Sequence, residues 1–196
     1  GGFMAKLIFR YGAMNCGKTM HLLQTAYNYN SHNMKVLVIK PIVDTKGGTS
    51  IVTRIGLKRK VDVLLRPTDD VRRKLDLRNI SCILVDEAQF LQPHQVEDLW
   101  KIAKLSDIPV ICYGLRTKFT SKFFVGSKPL MELADELEEL VTICECGNKA
   151  KFSARIINGK FVTDGAEIAI DGEDDVTYES LCGKCYIEKV MGVDTI

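Results

Sequence analysis

At 196 residues, with 46% hydrophobic and 27% charged side chains, the chain has globular composition, enough for one good core and a small second module. A formal charge of +2 neither marks nor excludes a nucleic-acid binder, and no apolar run nears the ~20 residues of a membrane span. The first residues show no long apolar region with a small-residue cleavage site, so no signal peptide is expected. The expected setting is the cytoplasm, where thiols stay reduced, and seven cysteines then need an explanation other than disulfides.

A short apolar run (Leu7, Ile8, Phe9) leads into Gly12, Ala13, Met14, Asn15, Cys16, Gly17, Lys18 and Thr19, and then a helix predicted over residues 17–30. A glycine, four residues and Gly-Lys-Thr between strand and helix is the phosphate-binding loop pattern. Gly12 and Gly17 let the backbone curl its N–H groups toward phosphates, Lys18 reaches the β/γ-phosphates, and the Thr19 hydroxyl takes one position on Mg²⁺. The bland alternative, a tight turn with a surface lysine, is weakened by the flanking strand and helix signals. In the helix, Met20, Leu23, Ala26 and Tyr27 fall near one face.

Residues 35–40 form a near-continuous apolar run ended by Pro41, as expected of a parallel strand covered on both faces. Asp44 to Ser50 is a polar, glycine-bearing loop, either a lid or an ordinary surface loop. Another short strand is expected over residues 61–65, then a charged helical stretch to residue 78 that reads as a solvated face. Residues 81–85 form a buried strand that delivers Asp86 and Glu87 to its carboxyl end, where open α/β sheets bind ligands. Asp86 is placed to hold Mg²⁺; Glu87, pointing elsewhere by strand alternation, is free to act as a base. Helices are predicted over residues 93–104 and 129–140, with a buried strand at residues 108–113 between them. Strands alternating with helices argue for a mainly parallel sheet with helices on both faces.

The character changes after residue 140. Cys144-Glu-Cys146 is followed, after 35 intervening residues, by Cys182-Gly-Lys-Cys185, a thiol set suited to a closed tetrahedral Zn²⁺ site. If Cys144 and Cys146 lie on an extended segment, both sulfurs point the same way. Between the pairs, Asn158-Gly159 signals a hairpin turn, and an acidic stretch runs from Asp171 to Asp175. A metal pinning the ends of a segment too small for a core of its own suggests a lid. Cys16, Cys82 and Cys112 read as small packing residues.

The chain from Met4 onwards resembles the type II thymidine kinases, cytosolic enzymes that transfer the γ-phosphate of ATP to the 5′-hydroxyl of thymidine. The resemblance rests on residues 12–19, Val-Asp-Glu-Ala-Gln-Phe (85–90), Tyr-Gly-Leu-Arg-Thr-Lys-Phe (113–119) and the cysteine-bounded segment ending Tyr178-Glu-Ser-Leu-Cys182. It implies that Glu87 is the catalytic base and that Ala88 and Gln89 belong with Asp86 to the nucleotide site. Phe119 matches the aromatic that stacks on thymine, and Met14 and Leu115 match pocket-lining residues. The cysteine-bounded segment matches a lasso that closes over the nucleoside, with contacts around Ser153, Ile168, Ala169, Ile170, Asp171 and Tyr178. Arg155 and Arg54 match basic residues near substrate or phosphates. The family is typically homotetrameric and inhibited by thymidine triphosphate. Cys16 stands where many members carry serine, Arg116 replaces an aspartate of some branches, and the stretch 171–177 is longer than usual.

The expectation is therefore a P-loop α/β nucleotide-binding domain over residues 4–141 and a zinc-stapled lasso over residues 142–196. The expected activity is thymidine phosphorylation in deoxynucleotide salvage, with deoxyuridine an alternative substrate. Two rivals are a nucleic-acid-stimulated ATPase, because Asp86-Glu-Ala-Gln89 also resembles a helicase acidic motif, and a zinc module that uses ATP as a switch. Against the first stand the lack of a second lobe and of a basic patch with interleaved aromatics, so no nucleic-acid partner and no membrane are expected.

Overall fold

The computed structural model describes residues 4–43, 48–166 and 175–193. In chain order the first elements are β1 (Leu7–Gly12), α1 (Lys18–Ser31), β2 (Val36–Pro41), β3 (Ser50–Val52), β4 (Lys58–Lys60), β5 (Val63–Leu65) and α2 (Val71–Lys74). Then come β6 (Cys82–Val85), a 3-10 turn (Ala88–Phe90), α3 (Pro93–Leu105), β7 (Val110–Leu115), α4 (Ser127–Leu133) and β8 (Glu136–Glu139). The rest comprises β9 (Thr142–Ile143), β10 (Lys149–Ala150), β11 (Phe152–Ile157), β12 (Lys160–Val162), β13 (Val176–Leu181), α5 (Gly183–Tyr186) and a π-helical turn (Ile187–Met191).

Six strands make one parallel sheet in the order β5-β2-β6-β7-β1-β8. The central strands β6 and β7 are buried along their whole length, which is why their sequences run apolar without alternation. Leu7, Phe9, Ile39, Ile83, Val85 and Val110 pack on one face with Val71, Val96, Leu99 and Leu130 of α2, α3 and α4. Val36, Val38, Leu84, Ile111 and Tyr113 pack on the other face with Leu22 and Ala26 of α1. The expected two-sided parallel sheet is present. No described helix is long and apolar enough to cross a membrane.

Three local expectations are corrected. The helix predicted to reach Leu140 ends at Leu133, and residues 136–139 instead form β8 beside β1. The helical spacing of Leu133 and Leu137 misled because Asp135, whose carboxylate accepts the Leu7 N–H at 2.8 Å, starts the edge strand, and Arg10 and Lys6 pair with Glu138 and Glu136. The helical stretch to residue 78 shrinks to the single turn α2, although Arg72, Arg73 and Lys74 are solvated as expected. On α1, Leu22 and Ala26 are buried, while Tyr27 is 67% exposed.

The C-terminal strands β12-β11-β13 form a separate antiparallel sheet. Asn158 and Gly159 make the predicted turn between β11 and β12, both at positive φ (49° and 78°) as a two-residue hairpin of this type requires. This segment does have a small core: Ala150, Ala154, Leu181, Tyr186 and Val190 cluster with Cys144, Cys182 and Cys185. Three of its buried members are thus thiols, so the core is organised around the sulfurs.

Candidate active site

Because β6, β7 and β1 are adjacent and parallel, their C-terminal ends open onto one shared edge of the sheet. That edge carries Asp86-Glu87 after β6, Leu115 to Phe119 from the end of β7, and the phosphate loop after β1. At ~4.8 Å per strand spacing, the ends of β6 and β1 lie about 10 Å apart.

The loop from Gly12 to Thr19 has the curl that the motif needs: Asn15 (φ 65°) and Gly17 (φ 82°) are left-handed, and Gly17 caps α1. The Lys18 ammonium donates to Ala13 O at 3.1 Å and to Cys16 Sγ at 3.4 Å, so it folds back over the loop's interior. Thr19 is half-buried in the first turn of α1, and Arg54, from the turn between β3 and β4, donates to Asn15 Oδ1 at the loop's tip. An anion here would meet the amino end of a helix and a lysine together.

Asp86 is 5% exposed, and its N–H donates to Ile39 O at 2.9 Å. Burial pushes its carboxyl up to about 7, the Glu87 charge adds to the rise, and the Lys40 and Lys18 charges pull it back. A bound cation would reverse the penalty, which is what a metal-holding carboxylate needs. Glu87 is not on a strand: β6 ends at Val85, and Glu87 takes a left-handed conformation (φ 51°, ψ 39°) at the start of the 3-10 turn. Its direction therefore comes from that turn and not from strand alternation. Ala88 is fully buried and Gln89 is 1% exposed, with the Gln89 amide bonded to Glu87 and to the Leu115 N–H.

The β11–β13 ladder faces this edge. Ser153 lies opposite Ser180, and Arg155 opposite Tyr178. Met14 of the phosphate loop donates its N–H to Ser153 Oγ at 3.0 Å, and its carbonyl accepts from Ser180 Oγ. Arg155 is 3% exposed, with its guanidinium carbon 3.9 Å from the Phe119 ring centroid and Nε donating to Tyr178 Oη at 2.9 Å. Tyr186 Oη donates to Phe119 O, fixing the loop after β7 to the same module. The structure thus brings together Met14, Phe119, Ser153, Arg155 and Tyr178, with Leu115 at the end of β7 on the same sheet edge. Ile168, Ala169, Ile170 and Asp171 lie outside the described residues, as do residues 44–47 of the polar loop.

The Sγ atoms of Cys144, Cys146, Cys182 and Cys185 all lie within 4.8 Å of one another. A tetrahedral ion with sulfur bonds of about 2.3 Å spaces its ligands ~3.8 Å apart, so the cluster fits such an ion and leaves no open position. The first pair is not extended as expected. Residues 144–148 form a tight turn in which Gly147 N–H donates to Cys144 O and Cys144 N–H to Asn148 O, each at 2.8 Å. Both pairs therefore sit on turns, the second with Cys182 capping α5.

Sequence reasoning missed Ser180 and Tyr186. Ser180 had a signal, since it lies two residues from Tyr178 on one strand and so shares its face. Tyr186, just past the last cysteine, had none.

Residues 5–186 match the family model described as thymidine kinase. The chain belongs to the thymidine kinase family. A thymidine kinase of Pasteurella multocida is 45% identical over 192 residues, covering 95% of this chain and 99% of the relative. The thymidine kinase of Enterobacteria phage T4 is 43% identical over 193 residues, covering 94% and 97%. Among solved structures, the ATPase DotB of Legionella pneumophila aligns over 76% of this chain and 44% of its own at a TM-score of 0.43 and 16% identity, too remote to bear on the assignment. Membership of the thymidine kinase family accounts for a phosphate loop, an acidic strand tip and a thiol cluster in one chain.

Proposed function

We propose that this chain transfers the γ-phosphoryl group of ATP to the 5′-hydroxyl of thymidine, the step that brings the nucleoside into deoxynucleotide salvage. The observation that carries the reading is the shared edge: the phosphate loop, Asp86-Glu87 and the Leu115–Phe119 segment leave three neighbouring parallel strands, and the β11–β13 face closes against them. Membership of the family supplies the nucleoside. In this reading residues 4–141 are the nucleotide-binding domain and residues 142–196 the lasso that covers the nucleoside.

Gly12 to Thr19 cradle the triphosphate, with Lys18 on its terminal phosphates. Thr19 and Asp86 would hold Mg²⁺, which neutralises charge developing between the phosphates. Thymine stacks against Phe119 beside Met14 and Leu115, with Ser153, Arg155 and Tyr178 on the lasso side. The 5′-hydroxyl then faces Glu87, whose carboxylate takes the proton as the oxygen attacks in line. The phosphoryl–oxygen bond to ADP breaks as the new one forms, so ADP leaves with the bridging oxygen. Positioning supplies most of the rate, because phosphoryl transfer asks little covalent chemistry of the protein. The thiol set suits Zn²⁺ in a structural role. Thymidine triphosphate could put its base under the lasso and its phosphates on the loop at once, which gives the family's end-product inhibition a physical basis. A cytoplasmic homotetramer completes the reading.

One assay tests it: ATP turnover with thymidine, with DNA or RNA, and with neither. Equal ADP and thymidine monophosphate with thymidine alone is expected, while turnover driven by nucleic acid would replace the proposal with a translocase-type ATPase. Glu87→Gln should lose more than ~100-fold in kcat, the scale of a general base; near-normal turnover would remove Glu87 from that role.

A further inference from the structure

A glutamine 1% exposed is unusual, and such a group must find partners. For Gln89 they are informative. The Leu115 N–H, at the end of β7, donates to Gln89 Oε1 at 3.2 Å, and Gln89 Nε2 donates to Glu87 Oε2. A main-chain N–H can only donate, so it fixes which way round the amide sits: oxygen toward β7, NH₂ toward the Glu87 carboxylate. The frame around the amide is tight. A Cβ on Gly114 would come 2.8 Å from Gln89 Oε1 and 2.9 Å from Gln89 N, so only glycine lets β7 approach this closely. On the far side, Gly126 N–H donates to Gln89 O at 3.0 Å, and a Cβ there would lie 2.5 Å from Ala88 O. Ser127 Oγ, donating to Leu115 O at 2.5 Å, ties that segment back to β7. Glu87 itself is only half-buried and sits at a left-handed backbone position, and the Gln89 amide is the side-chain partner shown for its carboxylate among the described residues.

We infer that Gln89 is the positioning residue for Glu87: its amide transmits the fixed place of the β7 main chain to one carboxylate oxygen and leaves the other to accept the hydroxyl proton. This rests on Glu87 being the base. It gives Gln89, which the sequence motif groups with the nucleotide-binding residues, a role directed away from ATP and toward the acceptor. A misplacement of about 1 Å can cost on the order of 100-fold in rate, so a single amide is enough to matter.

The test is a double-mutant cycle on kcat with Gln89→Met, which keeps the volume and removes the amide. In the wild-type background kcat should fall about 10- to 100-fold with KM for ATP and thymidine within about threefold. In a Glu87→Gln background the same substitution should change kcat less than about threefold, because no base remains to be held. Equal falls in both backgrounds would make Gln89 a merely structural residue and overturn the inference. Near-normal turnover of Glu87→Gln alone would instead remove the base assignment on which it rests. Gln89→Leu, which likewise removes the amide and leaves the β7 main chain untouched, serves if Gln89→Met does not fold. It should show the same dependence on Glu87, and an equal loss in both backgrounds would again refute the relay.

Discussion

Replacing Asp86 by asparagine should make the metal-free protein more stable and the enzyme inactive. Asp86 is 5% exposed at the sheet's carboxyl edge, and burial with the neighbouring Glu87 charge lifts its carboxyl from 3.8 to about 7. Because the folded-state value lies above the unfolded one, the folded chain holds the extra proton between them, and stability contributed by this group falls as pH rises through that window. Above it the cost is complete. At about 1.4 kcal/mol per pH unit, the penalty is on the order of 4 kcal/mol. Asparagine keeps the shape without the charge, so at pH 8 Asp86→Asn should melt higher, by ~2–4 °C for each kcal/mol recovered in a chain of this size. At pH 4 the gain should nearly vanish. The assay is a thermal melt of both proteins across pH 4–8 in chelator, repeated with Mg²⁺ and ATP. With nucleotide the order should reverse, since only wild type has the Asp86 carboxylate to hold the metal and gains that share of the binding energy, and turnover should be lost in the variant. A gain that is absent at pH 8, or unchanged at pH 4, would refute the argument from burial.

Other consequences are simpler to test. Ser180→Ala removes a hydroxyl from the Met14 carbonyl, and about 1 kcal/mol for that bond predicts a roughly fivefold rise in KM for ATP, which Ser180→Thr should restore. Stripping metal from the four thiols should release one zinc per chain, lower the melting temperature and raise KM for thymidine, because the small C-terminal core is built on Cys144, Cys182 and Cys185. A metal assay alongside thymidine kinetics checks both. Arg10→Met should cost about 1–3 kcal/mol in denaturant melts: Glu138, 40% exposed, can rehydrate, and Tyr113 Oη keeps Thr25 at 3.0 Å after losing its 2.8 Å bond from Arg10.

Much of the fold was legible because a parallel sheet covered on both faces writes unbroken apolar runs, as at residues 36–39, 82–85 and 110–113. The phosphate loop and the Asn158-Gly159 turn were legible because particular backbone angles demand particular residues. Edge strand β8 was hidden, since Glu136 to Glu139 has neither alternation nor an apolar run, and its place depends on Asp135, Lys6 and Arg10 far away in sequence. The direction of Glu87 was hidden for a similar reason. It is set by a 3-10 turn wedged between glycines 114 and 126, and close approach of backbone leaves no mark beyond the glycines themselves. Ser153, Arg155 and Tyr178 could be named from the family resemblance, but only the β11–β13 register shows that they and Ser180 form one facing set.

The hydroxyl of Ser180 reaches a carbonyl 166 positions earlier in the chain. During synthesis, the N-terminal loop emerges long before the strand that will grip it, and contacts of such long separation form late. The ATP cradle is therefore completed by a strand made long after the loop itself. A nascent or clipped chain that lacks β11 and β13 loses the bonds with Ser153 and Ser180 that hold Met14 in the loop.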